Sequence, residues 1–72
     1  MPTATLLRDV RKRRGMPITE LARRAQVSRN TLYYAEAGEP VSLDTLVKIA
    51  AALEVSLSEI SPSAALMVGS VA

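Results

Sequence analysis

"LARRAQVSRNTLYYAEAG", Leu21 to Gly38, decides how this chain of 72 residues folds. Leu21, Ala22 and Ala25 recur at helical spacing, and so do Leu32 and Ala35. Between the two sets "AQV" reads as a tight turn, and Ser28 stands where a hydroxyl caps the helix that follows. The stretch therefore predicts two short helices joined by a tight turn, the second ending at Gly38. That second helix carries more than docking requires. Arg29, Asn30, Thr31, Tyr33 and Tyr34 lie between its apolar positions, and the two tyrosines are the only aromatics of the chain. A face of this kind needs a use outside the core.

The flanking sequence extends the helical reading. Upstream, Leu6, Leu7, Val10 and Arg14 follow i, i+3, i+4 spacing, and Gly15 stops that helix as a C′ residue does. Pro17 begins the next one, where a missing N–H does no harm. Downstream, Pro40 and Ser42 restart the chain. Leu43, Leu46, Val47, Ala50 and Leu53 mark a fourth helix with an apolar stripe. "SLSE", Ser56 to Glu59, has capping-box spacing and opens a short fifth helix ending near Ser61-Pro62. "LEVSLS", Leu53 to Ser58, alternates with period 2, but no partner strand is near, so it reads as helix end, loop and cap. The expected fold is all-α, a compact bundle of about five short helices over residues 1–61. Residues 62–72 form an apolar tail. It either pairs as an extended strand with a second copy or folds back on the fourth and fifth helices.

Composition narrows the functions. The chain is one small domain without Cys or His. It therefore has no disulfide framework, zinc finger or Cys nucleophile, and no metal or other cofactor is expected. No Ser-based nucleophile–base pair and no phosphate-cradling Gly loop is present, so an enzyme is not expected. "MPTATLLRDVRKRRG" places its charges after its apolar patch, unlike a secretory leader, and no run approaches the length that spans a bilayer. The expected location is cytoplasmic.

Net charge is +2, but it is divided. Residues 1–35 hold eight Lys/Arg and two Asp/Glu, a balance of +6; residues 36–72 hold one Lys and five Asp/Glu, a balance of −4. Such asymmetry fits a polyanion partner that loses about four to six phosphate charges on binding, and equally a solvated helix face.

Taken to Ile60, the sequence "LARRAQVSRNTLYYAEAGEPVSLDTLVKIAAALEVSLSEI" resembles the Cro/repressor type of helix-turn-helix domain, the XRE family. The resemblance spans roughly residues 5–60. Leu21-Ala22, Val27-Ser28, Leu32, Glu36, Gly38, Leu46, Ala50, Leu53, Val55 and Ile60 fall in register with the family's motif. It implies a lambda-repressor-like bundle whose third helix enters the major groove of double-stranded DNA. Arg29, Asn30, Tyr33 and Tyr34 then map to base-contacting positions, where Arg suits guanine and Asn suits adenine. Ser28, Thr31, Thr19 and Arg24 map to phosphate contacts. Arg11 and Glu36 match the positions of a structural ion pair. The resemblance also implies a bacterial or phage-encoded transcriptional regulator, a small repressor or co-regulator, working as a homodimer, here through the apolar tail.

Two positions depart from the family. Ile18 replaces the Gln that usually opens the second helix, and the loop "GEPVS" carries Glu39 where basic residues are common. Both favour an alternative, a helix-turn-helix module whose exposed face binds a protein, as an antitoxin or co-regulator does.

Overall fold

The computed structural model describes residues 4–69. Residues 1–3 and 70–72 lie outside it, and with them the start of the leader reading and the last three residues of the apolar tail. Among the described residues six helices follow one another: α1 Ala4–Arg13, α2 Ile18–Ala25, α3 Arg29–Glu36, α4 Leu43–Leu53, α5 Leu57–Ile60 and α6 Pro62–Gly69. No strand occurs among the described residues. The all-α bundle expected from the sequence is found, with one helix more than the five that were counted.

Serines set most of the helix starts. Ser28 and Ser42 each accept the N–H of the residue three further on, Thr31 and Thr45, at 3.1 Å. At α5 the Ser56 N–H donates to Glu59 Oε2 at 3.0 Å. The α2 start differs. Pro17 is its N-cap, in extended conformation and with no side-chain acceptor, so the first turn of α2 is uncapped.

Four helices end in the same way. The chain turns back so that two successive N–H groups bond carbonyls of the last turn, as at Gly15 and Met16, which reach Lys12 and Arg11. The turning residue is left-handed in each: Gly15 at φ 64°, Gln26 at 59°, Gly38 at 84° and Glu54 at 58°. Only two are glycines, so Gln26 and Glu54 sit in a conformation that Cβ disfavours.

The core explains the packing order. Leu21, Leu32, Ile49 and Leu53 are fully buried, one or two from each of α2, α3 and α4. Leu7 and Val10 close them from α1, and Ile60 from α5. Ala22 and Ala25 are small, which lets α2 lie close to its neighbours. α1 thus packs on α3 and α5, and α2 on α3 and α4. Ile18, in the place where the family carries Gln, packs against this core instead of standing free.

Three expectations are corrected. Leu43 and Val47 do not face inward: they are 36% and 45% exposed, and Ile49 takes the buried position. Arg14 is not part of the α1 stripe but lies exposed and donates to the Glu54 carbonyl at 3.0 Å. Residues 62–69 of the tail are helical, not extended. Ser61, at φ −155° and ψ 88°, separates α5 from α6, and Pro62 then opens α6 where its missing N–H is tolerated. Ala64 is buried, so α6 folds back on the domain through α5.

The two left-handed non-glycine residues give a direct test. Gln26→Gly and Glu54→Gly are each expected to raise stability by about 1 kcal/mol, read as a higher urea midpoint. Gly15→Ala is expected to lower it by a similar ~1 kcal/mol. Nothing lies within 4 Å of the added Cβ, so the loss is conformational alone. Equal midpoints for all three variants would contradict this reading of the helix ends.

Candidate nucleic-acid interface

α3 is built to hold one side and free the other. Its Leu32 is fully buried, and Ala35 packs beside it. On the same inner side Glu36 meets α1: Arg11 Nε donates to Glu36 Oε2 at 2.6 Å, and Arg11 Nη2 to Oε1 at 3.3 Å. A third arm, Arg11 Nη1, donates to the Met16 carbonyl at 3.1 Å. The two side chains are only 15% and 11% exposed. A single guanidinium therefore ties α1, the α1–α2 turn and the end of α3 together, in the two-pronged geometry that Arg favours with a carboxylate.

The opposite side of α3 is open. Arg29, Asn30, Tyr33, Tyr34 and Ala37 are all exposed, the tyrosines at 55% and 58%. By the 100° helical step Asn30 and Ala37 stand at the centre of this arc. Tyr33 and Tyr34 lie on either side of them, and Arg29 is at one edge. The structure thus brings Arg29, Asn30, Tyr33 and Tyr34 onto one surface. Ala37 was missed in the sequence, although it follows Asn30 by two turns at helical spacing. Its methyl leaves room for close approach at the middle of the arc.

The residues assigned to phosphate are arranged differently. Ser28 and Thr31 are at the start of α3, with their hydroxyls 2.8 Å apart, so the cap is their first duty. Thr19 is exposed in the uncapped first turn of α2. Free N–H groups in that turn suit an anion. Arg24 is held elsewhere. Its Nε donates to Glu20 Oε2 at 2.7 Å, and it lines a depression with Arg14, Met16, Pro17 and Leu53 that no α3 residue enters.

Glu20 gathers a second arginine. Arg23 donates to its two carboxylate oxygens at 3.2 and 2.6 Å. These bonds, Arg23 first and then Arg24, lower the Glu20 carboxyl from 4.5 to about 2, and raise Arg23 in turn. The i, i+3 and i, i+4 spacing of this triad is legible in "ELARR".

The +6 balance of residues 1–35 is therefore partly spent inside the domain. Arg11 serves Glu36, Arg23 and Arg24 serve Glu20, and Arg14 serves the α4 C-terminal carbonyl of Glu54. Arg8, Lys12, Arg13 and Arg29 are exposed and have no ion pair among the described residues. Among the described residues no group of His, Cys, Asp and Glu is arranged to hold a metal, and no helix is long and apolar enough to cross a membrane.

Comparison with known proteins agrees with this geometry. No curated protein and no solved structure matches the chain. A family model described as helix-turn-helix matches residues 7–60, which runs from within α1 to the end of α5 and includes the whole α2–turn–α3 unit. The chain belongs to the helix-turn-helix family of the Cro/repressor (XRE) type.

Proposed function

We propose that this protein is a sequence-specific DNA-binding transcriptional regulator, a small repressor or co-regulator, that reads operator DNA with α3 in the major groove. The observation that carries this is the open arc of α3. Its polar and aromatic side chains are exposed and make no ion pair or side-chain hydrogen bond among the described residues, while its inner side is clamped by Leu32 and by the Arg11–Glu36 pair. An arc of Arg and Asn matches what base edges offer in the major groove. Ser28 and Thr19 stand at the starts of α3 and α2, where N–H groups and hydroxyls suit phosphate oxygens. The protein-binding alternative loses one support, because Ile18 is part of the packing and not an exposed anchor.

Four exposed cations, Arg8, Lys12, Arg13 and Arg29, have neither an ion pair nor a side-chain hydrogen bond among the described residues, and they bound the electrostatic term. With two to four phosphates neutralised per protomer, log affinity is expected to fall against log salt with a slope of about −2 to −4. That is shallower than the raw +6 balance suggests, because four of the eight Lys/Arg of residues 1–35 make contacts within the domain. Arg29→Ala is expected to lower affinity for a selected site by roughly 1–3 kcal/mol and to relax preference at one base pair. Titration of labelled duplexes over a salt series measures both. Absence of binding to any duplex at low salt would remove the DNA reading in favour of a protein partner.

The regulator is also proposed to act as a homodimer through α6. Half-sites about 34 Å apart suit two domains, each measuring 32 × 26 × 20 Å, placed side by side. α6 carries no charged residue, and its Leu66 is 76% exposed although Ala64 is buried. An isologous contact buries the same patch on both copies, and a charge-free patch has no charge to desolvate there. Deleting residues 62–72 is expected to turn a dimer into a monomer by light scattering. An unchanged mass after deletion would exclude α6 as the dimer contact.

A further inference from the structure

The composition of the α3 arc says more than that it touches DNA. The acid of α3 is withdrawn from it, since Glu36 faces Arg11. The Ser28 and Thr31 hydroxyls face one another. The arc therefore presents one guanidinium, one amide, two phenol rings and a methyl, with no carboxylate. Adenine shows an acceptor at N7 and a donor at N6 in the major groove, which one amide satisfies together. Guanine shows two acceptors and cytosine a lone donor, and each leaves half of an amide unmatched. At the centre of the arc, where Asn30 stands, an adenine is the best-matched base.

Tyr34 follows Asn30 by four residues, so its side chain leans over the turn that Asn30 occupies. With a 58% exposed ring, it has apolar surface to cover beside the amide. The apolar group of an A·T region in the major groove is the 5-methyl of thymine, which lies next to the edge that an amide reads. We propose that Asn30 and Tyr34 act as one unit that recognises an A·T step, the amide on adenine and the ring on the thymine 5-methyl. The face then discriminates thymine from uracil in DNA. This rests on the DNA-binding reading above and adds the base class that its centre selects.

The test uses the full chain. Duplexes are selected from a random pool, and each thymine of the selected half-site is replaced in turn by deoxyuridine. Removal of the one methyl that the ring covers is expected to weaken binding about fourfold at a single position, adjacent to or paired with a selected adenine. Tyr34→Ala is expected to bind the thymine and uracil duplexes alike, while Tyr34→Phe keeps the difference, since the methyl contact needs the ring and not the hydroxyl. Asn30→Ala is expected to lose the preference for adenine at that base pair. Tyr34 and Asn30 are both exposed, so these variants retain the core. Equal binding of thymine and uracil at every position overturns the inference and leaves DNA binding intact. So does a difference that persists in Tyr34→Ala. Equal binding of the separated single strand would assign the rings to base stacking and also overturn it. Failure to select any duplex would overturn the DNA reading together with this one.

Discussion

The pairing of Arg11 with Glu36 is the constraint on which the exposed surface depends. Twenty-five residues separate them, yet two guanidinium nitrogens reach the two carboxylate oxygens at 2.6 and 3.3 Å. α3 is only eight residues long, too short to be a stable helix by itself in water. It has one fully buried side chain, Leu32, to hold it. A carboxylate pinned near its last turn adds a second fixed point and sets the rotation of the helix about its axis. With Glu36 and Leu32 turned inward, the 100° step leaves Asn30, Tyr33, Tyr34 and Ala37 no direction but outward. Pairs this buried add little net stability, but leaving one partner alone costs about 3 kcal/mol or more. The contribution of the pair is orientation.

Charge is organised by the same logic of local use first. A count along the chain suggests a strongly basic first half. In three dimensions Glu20 sits between two arginines of α2, and Arg14 bonds the carbonyl that ends α4. These contacts stabilise helix ends: an acid in the first turn of α2, bases in its last turn, and a base at the C-terminus of α4 all oppose the helix dipole favourably. The cations left over, Arg29 above all, are the ones available to a polyanion. Ion pairing leaves the net charge unchanged but ties these side chains to partners within the domain, so fewer cations are free to meet a polyanion than a count along the chain suggests.

Much of this was legible in the sequence, because the chain punctuates itself. Ser28, Ser42 and Ser56 mark helix starts, and Gly15 and Gly38 mark ends, each by a local mechanism that tertiary packing does not override. The α3 face was legible too, since four large polar or aromatic residues on a short helix have few structural uses. Arg11 and Glu36 came from the family resemblance, as two charges so far apart in sequence carry no local signal. The buried face of α4 was misread because "LDTLVKIAAAL" is apolar over more than one face, and only the position of α2 decides that Ile49 and not Val47 is buried. α6 escaped as a helix because "ALMVGSVA" has no polar phase from which a period could be read. The orientation of Arg24 is a side-chain choice between Glu20 and solvent, which spacing alone leaves open.

α3 is held from behind and free in front, and its outer arc is the surface proposed to meet DNA. Amide chemical-shift mapping of the protein during titration with a short duplex at low salt measures this most directly. The largest changes are expected at Arg29, Asn30, Tyr33, Tyr34 and Ala37, with smaller ones at Ile18 and Thr19 in the first turn of α2. Changes concentrated on α4 to α6 while α3 stays unmoved would contradict it.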